Sequence, residues 1–136
     1  MAVRALRGAI TVDADDPAEI RRRTIELLTA LFERNHLAVD DVISVLFTAT
    51  QDLTSLPPAA GARGFGLTDV PLLCAQEMPT EGGLERCIRL MLHVETDHGR
   101  DQLRHVFLRR ATTLRPDLAE PGDDIGADDL EQEPAT

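Results

Sequence analysis

Lysine, tyrosine and tryptophan are all absent from this sequence of 136 residues, in which all 14 basic residues are arginine. Without lysine the chain cannot form a Schiff base, attach pyridoxal phosphate, or supply the lysine of a P-loop. The missing lysine excludes these mechanisms but does not identify another. The length fits one domain with a modest hydrophobic core, and small domains often gain further burial by oligomerisation.

Cysteine and histidine are also scarce. The two cysteines, Cys74 and Cys87, lack a CxxC spacing, so we predict two free thiols rather than a disulfide or a metal site. The histidines share no ligand spacing with the cysteines, and we expect them to have surface or core roles. They are His36, His93, His98 and His105.

Long apolar runs are missing as well. No charge-free run approaches the roughly 18 residues that a membrane-spanning helix needs. The first residues lack the apolar stretch and small-residue cleavage site of a signal peptide. We therefore expect a cytoplasmic protein that does not bind a membrane.

The net charge of −10 is unevenly distributed. Residues 117–136 contain eight acidic residues and no basic one, which leaves 16 acidic residues and 14 arginines in the first 116. An acidic chain with 3% aromatic residues is a poor candidate for binding nucleic acid. If it binds an anion, several arginines must converge on one place.

The first half of the chain has clear secondary-structure signals. Residues 2–12 (AVRALRGAITV) predict a strand, and residues 42–50 (VISVLFTAT) predict a buried central strand. Asp16, Pro17 and Glu19 form a helix start, and apolar residues at helical spacing extend that helix to about Asn35.

The second half is predicted to contain a long loop followed by strands. The period-two alternation of apolar and polar residues in 88–95 favours a strand there. The sequence thus predicts an α+β fold, with a mixed sheet and one long helix packed on one face. Residues 1–118 are predicted to form the domain and 119–136 an acidic, flexible tail. The other predicted elements are a loop at 51–69 with room for one helical turn, strands at 70–77 and 105–113, and a turn at 101–104.

Six residues are candidates for chemistry, although each also has an ordinary interpretation. An arginine in a strand or loop is often a solvated surface charge, and a cysteine in a strand is usually a small buried hydrophobe. A carboxylate at the end of a strand is usually solvated. The six are Arg7, Arg63, Cys74, Glu77, Arg89 and Arg115.

Five stretches together resemble the trimeric, monofunctional chorismate mutases of the AroH type. They occur in the order of that family and with nearly its spacing, across residues 2–118, and their combination is far more specific than any one of them. The stretches are 4–9 (RALRGA), 48–53 (TATQDL), 74–78 (CAQEM), 82–89 (GGLERCIR), and 104–108 (RHVFL) with 114–118 (LRPDL).

The resemblance implies a homotrimer in a pseudo-α/β-barrel arrangement, with active sites in clefts between neighbouring subunits. It also implies the conversion of chorismate to prephenate in aromatic amino acid biosynthesis, without a cofactor or a metal. By position, the principal substrate contacts would be Arg7, Cys74, Glu77 and Arg89. Further contacts would be Leu73, the backbone around Ala75, Phe107, and more peripherally Arg63 and Arg115.

This reaction is a concerted rearrangement, so no proton needs to be transferred. An enzyme would hold the substrate in its compact reactive shape and stabilise the charge that grows on the ether oxygen. We assign Arg7 to the side-chain carboxylate and Arg89 to the ether oxygen, where a preorganised donor contributes about 3–4 kcal/mol. Glu77 is expected to accept a hydrogen bond from the ring hydroxyl, and Cys74 to contact the same group.

The sequence departs from the family pattern at a few positions. Phe107 replaces a residue that is often tyrosine, which removes one hydrogen bond of about 1 kcal/mol and predicts weaker binding. Ala60 stands where relatives often have lysine, and the loop after Arg63 is one residue short.

Two alternatives stay open at this stage. One is a non-catalytic trimer that binds a carboxylated metabolite, and the other is an imine-deaminase (Rid-like) trimer with an arginine in its intersubunit clefts. The pairing of Arg7 and Arg89 with Cys74 and Glu77 favours a mutase, because this set suits a diacid that carries a hydroxyl.

Overall fold

The fold comes from a computed structural model, which describes residues 1–125. Within these residues the chain forms five strands and two α-helices, with short 3-10 turns between them. These elements are β1 (Ala2–Thr11), α1 (Pro17–Asn35), β2 (Val42–Ala49), α2 (Pro58–Phe65), β3 (Leu72–Gln76), β4 (Cys87–Thr96) and β5 (Val106–Leu108).

The five strands form one mixed sheet in the order β3-β2-β4-β1-β5. β4 pairs antiparallel with β1 and β2, while β5 and β3 run parallel to their neighbours at the two edges. The predicted α+β fold with a mixed sheet and one long helix on one face is confirmed.

Helix α1 begins and ends where the sequence signals predict. The Asp16 carboxylate accepts the backbone N–H of Glu19 at 3.0 Å, and Pro17 occupies the first helical position. The helix ends after Asn35, because His36 adopts a left-handed conformation with φ of 53°.

The core lies between α1 and one face of the sheet. Alternate residues of β1 and β4, among them Leu6 and Leu90, point to this face and are fully or almost fully buried. Gly8 lets the helix approach closely, since a Cβ there would lie 3.0 Å from Cδ1 of Leu31. Burying these side chains contributes roughly 1.5–3 kcal/mol each.

The opposite face of the sheet, here called the open face, is largely uncovered. Val3, Leu46 and Leu73 lie on it and are 59%, 43% and 62% exposed. Within residues 1–125 only a small second cluster packs on part of this face; it contains Ala9, Cys87, Phe107 and Ala111.

Two predicted elements were wrong in extent. The last strand ends at Leu108 instead of residue 113, because Arg109 turns left-handed with φ of 57° and a 3-10 helix follows. The loop at 51–69 contains the eight-residue helix α2 instead of a single turn. Pro58 begins this helix, and Ala62 packs into the core.

The predicted tail begins with residues that contact the domain. Asp123 is 3% exposed and pairs with Arg34 of α1, and Glu120 pairs with both Arg34 and Arg104. The remaining residues of the predicted tail, 126–136, lie outside the described part of the chain. No helix among residues 1–125 combines the length and apolar character needed to cross a membrane.

Two glycines in α2 allow a matched stability test. A Cβ at Gly61 would lie 2.7 Å from Cβ of Thr24 in α1, whereas a Cβ at Gly64 would have only Cδ1 of Ile25 nearby, at 3.8 Å. Gly61→Ala should therefore force the helices apart and destabilise the fold by about 1–3 kcal/mol. Gly64→Ala should stabilise it by about 0.5–1 kcal/mol, because alanine favours the helix. Thermal unfolding measures both, and equal shifts in the two variants would contradict this packing.

Candidate active site

Arg7 and Arg89 lie on the open face and line one cavity of about 260 Å³. Arg7 belongs to β1 and Arg89 to the adjacent strand β4, where Arg89 pairs with Ala9. The period-two geometry that buries Leu6 and Leu90 places both arginines on the opposite side of the sheet. The other residues lining the cavity are His105, Phe107, Leu114 and Arg115.

The Arg89 guanidinium has an unused hydrogen-bond donor. Its Nε is buried and has no acceptor within residues 1–125. The nearest carboxylate oxygen, Oε2 of Glu77, is 3.7 Å away, which is an ion-pair distance but too long for a hydrogen bond. A buried donor without a partner costs about 1–3 kcal/mol, so a ligand atom that accepts this bond would bind favourably.

Glu77 is held in place from two sides. Its carboxylate accepts a hydrogen bond from the Thr48 hydroxyl, and its backbone N–H donates to the carbonyl of Ala49 at 2.7 Å. Thr48 lies directly opposite Arg89 in the pairing of β2 with β4, so its hydrogen bond holds the Glu77 carboxylate beside the Arg89 guanidinium. Glu77 and Arg89 also line a second cavity of about 350 Å³, adjoining the first at Arg89.

His105 fixes the backbone at Arg7. Its Nδ1 accepts the backbone N–H of Arg7 at 3.0 Å. Burial, reinforced by the positive charges of Arg115 and Arg7, lowers the pKa of His105, and the neutral ring keeps the lone pair that this bond needs. No carboxylate among the described residues forms an ion pair with Arg7, so its guanidinium is available to an anionic ligand.

Phe107 and Arg115 line the same cavity as Arg7, Arg89 and His105. Phe107 is 4% exposed and packs with Ala9 and Cys87. The side chain of Arg115 is 52% exposed and pairs with Asp117 at 3.0 Å, and this contact raises the pKa of the Arg115 guanidinium. The cavity thus combines three arginines with an apolar wall, which suits an anion with a carbon ring.

The other candidate residues lie elsewhere on the chain. Cys74 and Ala75 line a separate cavity of about 320 Å³, and Leu73 and Arg63 are exposed. β3 and β5 are opposite edge strands, four strand spacings apart, which places Cys74 about 19 Å from Phe107. A small molecule bound at Arg7 and Phe107 cannot also reach Cys74 of the same chain.

Among the described residues, the geometry supports neither a cluster of metal ligands nor Cys87 as a nucleophile. Within the described ranges of the chain no group of three or more His, Cys, Asp or Glu residues could hold a metal ion. Cys87 is buried, and burial raises its pKa to about 11, so the thiol stays neutral and packs as a small hydrophobe.

Sequence reasoning missed His105 and Thr48 as site residues. Both lie in segments that carry the family resemblance, but no local pattern assigns their roles. The bond from Arg7 to His105 spans 98 residues, and the bond from Thr48 to Glu77 spans 29. Only the sheet pairing brings these groups together.

Comparison with known proteins gives consistent matches. A family model described as chorismate mutase type I matches residues 3–118. The chain is 45% identical over 120 residues to the chorismate mutase AroH of Bacillus subtilis, covering 88% of this chain and 94% of that protein. It is 48% identical over 117 residues to the chorismate mutase AroH of Thermus thermophilus, covering 85% and 96%. The solved structure of a chorismate mutase from Clostridium thermocellum matches with a TM-score of 0.79 and 43% identity, covering 81% of this chain and 98% of that one.

The lowered pKa of His105 predicts a specific pH dependence of stability. The unfolded ring takes up a proton near its ordinary pKa of 6.5, whereas the folded ring does so only at lower pH. The contribution of neutral His105 is therefore fully present above 6.5 and is lost as the pH falls through the folded pKa. His105→Gln keeps an acceptor for Arg7 but does not titrate.

Urea unfolding of both proteins, from roughly pH 8 to pH 5, measures this difference. The free energy of unfolding should fall more steeply for the wild type than for His105→Gln on the acidic side. Parallel curves would show that His105 does not titrate in the way described.

Proposed function

Since the chain belongs to the chorismate mutase type I family and is itself a chorismate mutase, we propose that the Arg7–Arg89 cavity is where it rearranges chorismate to prephenate. The observation that carries this assignment is the buried Arg89 Nε, a cationic donor that has no acceptor among residues 1–125. The Nε atom lies 3.7 Å from Oε2 of Glu77, and Arg89 lines the same cavity as Arg7 and Arg115.

The chemistry of the substrate fits these groups. Chorismate carries two carboxylates, a ring hydroxyl and an enol ether, and during the rearrangement one C–O bond breaks while one C–C bond forms. Arginine stays charged and offers a planar pair of donors to a carboxylate. A fixed arginine therefore holds the dianion and stabilises the breaking C–O bond without any proton transfer.

Each residue has a distinct role in this proposal. Arg7 binds the side-chain carboxylate, and Arg89 donates to the ether oxygen as its negative charge grows. Glu77 accepts a hydrogen bond from the ring hydroxyl, a role for which the Thr48 hydroxyl orients it. Phe107 supplies an apolar wall where a phenol would add a hydrogen bond.

We further propose that the complete site forms between subunits of a homotrimer. Cys74 lies about 19 Å from Phe107 on the opposite edge of the sheet, so a neighbouring subunit has to supply it. The exposed apolar residues of the open face, such as Leu46 and Leu73, supply a surface for subunit contact. Leu73, Ala75 and Arg63 would then belong to the part contributed by that neighbour.

The remaining sequence-based expectations belong to the same proposal: a domain of residues 1–118, a cytoplasmic location and a role in aromatic amino acid biosynthesis. The family match does not favour the two alternatives, a Rid-like enzyme and a non-catalytic carboxylate-binding trimer.

Replacing Arg89 tests the catalytic assignment. Arg89→Gln should lower kcat by about 10²–10³-fold, because it removes charge that acts mainly on the transition state. Arg7→Gln should act more strongly on KM, since that contact exists before the reaction begins. Chorismate consumption measures both, with Arg21→Gln on the exposed side of α1 as the matched control. An Arg89→Gln enzyme with the kcat of the control would overturn the assignment.

Mixing two inactive variants tests whether the site is shared between subunits. Arg89→Gln damages one part of the site, and Cys74→Trp fills the cavity at the other edge of the sheet. If each site takes these parts from different subunits, random mixing should restore about a quarter of the sites. If one chain supplies both parts, every site keeps one damaged part and the mixture stays inactive.

A further inference from the structure

Residues 109–123 form a loop whose two ends are tied together. The backbone N–H of Arg109 donates to the carbonyl oxygen of Asp123 at 2.6 Å. Between these ends the chain makes two 3-10 turns, Arg109–Leu114 and Pro116–Leu118. Leu114 and Arg115, at the middle of the loop, line the cavity that contains Arg7 and Arg89. The loop therefore links the proposed active site to Asp123.

The Asp123 carboxylate anchors the base of this loop to α1. It accepts hydrogen bonds from both terminal nitrogens of Arg34, at 3.1 and 2.6 Å, and from the backbone N–H of Glu120 at 2.8 Å. Asp123 is 3% exposed, and Arg34 also pairs with Glu120 at 2.9 Å. A two-point arginine–carboxylate contact of this kind fixes orientation as well as distance. We call this pair the Arg34–Asp123 latch.

Arg109 provides a second link between the loop and the same helix. Its guanidinium donates to the Glu26 carboxylate at 3.0 and 3.1 Å. Its φ of 57° is left-handed, a conformation that a residue with a side chain keeps only when its surroundings impose it. The contacts to Glu26 and Asp123 are such surroundings.

The middle of the loop is less firmly held. Arg115 pairs with Asp117, two residues away in the same loop, so this contact does not attach it to the domain. Apolar contacts of Leu114 and Leu118 with the Phe107 cluster connect this region to the domain. Before Arg115, the backbone N–H of Arg110 donates to the Thr11 hydroxyl at 3.1 Å and Ala111 is fully buried, so the position of Arg115 depends on this attachment and on how the base of the loop is fixed.

We propose that Arg34 and Asp123 are positioning residues for the reaction, and that their latch fixes loop 109–123 so that Leu114 and Arg115 complete the substrate cavity. The inference rests on the proposed function of that cavity. Both residues act through Arg115 and do not themselves line the cavity. Loosening the latch should weaken substrate binding while the charge at Arg89 stays in place, so KM changes and kcat does not.

The matched test uses two neighbouring carboxylates. Asp123→Asn removes the buried charge, whereas Asp124→Asn makes the same chemical change at an exposed position. For Asp123→Asn, KM for chorismate should rise about three- to tenfold, the loss expected for one hydrogen bond of ordinary strength, with kcat almost unchanged. Amide hydrogen exchange in residues 109–118 should also be faster than in Asp124→Asn.

A second variant covers the case in which Asp123→Asn folds poorly. Arg34→Gln breaks the same pair from the helix side, and it should reproduce the rise in KM and the faster exchange. The double variant should be no worse than the more severe single variant, because both substitutions break one interaction.

Two outcomes would overturn the inference. One is a KM and an exchange pattern for both latch variants that match those of Asp124→Asn. The other is an unchanged KM with a kcat that falls in proportion to the folded fraction of each variant, as a purely structural role predicts. If the wild type failed to convert chorismate, the proposed function would fail instead, and hydrogen exchange would still report on the latch.

Discussion

The rest of the structure depends on the register of β4 at the centre of the sheet. Paired on both sides, by β1 and β2, this strand turns Ile88, Leu90, Leu92 and Val94 toward α1, where they are almost fully buried. Arg89 must then point to the open face. A shift of one residue would place its guanidinium in the apolar core, at a cost of several kcal/mol. The folding energy of the domain thus sets the direction of the proposed catalytic charge.

The same register explains how a small chain without lysine or tyrosine can supply a preorganised site. Thr48 lies opposite Arg89 and holds Glu77 by a hydrogen bond, while His105 holds the backbone of Arg7 from the neighbouring edge. Glu77 and the backbone of Arg7 are therefore each held by a second side chain of the same domain. In such a site the charges are in place before the reaction, which is the condition under which electrostatic stabilisation is most effective.

The sequence predicts elements whose signals are local. Helix α1 has a capping residue, a proline and an apolar stripe, and β4 has a clear alternation, so both were predicted correctly. The predicted end of β5 was wrong because residues 105–113 contain no glycine or proline that would end a strand. The left-handed turn at Arg109 is held by contacts with Glu26 and Asp123, which are distant in the sequence. The length of helix α2 was underestimated, as a single turn, because its glycines and prolines resemble those of a loop.

The site could be predicted in part. Family-specific segments predict Arg7 and Arg89 as site residues. The contact of His105 with Arg7 spans 98 positions and that of Arg34 with Asp123 spans 89, and no local pattern encodes contacts over such separations.

The most direct test of the central claim, catalysis by fixed charge without proton transfer, is the solvent deuterium isotope effect on chorismate conversion under single-turnover conditions. If fixed arginines stabilise a concerted rearrangement, no proton moves in the transition state, and the rate in deuterium oxide should equal the rate in water. A general acid or base would move a proton in that step. A substantially slower reaction in deuterium oxide would therefore contradict the mechanism.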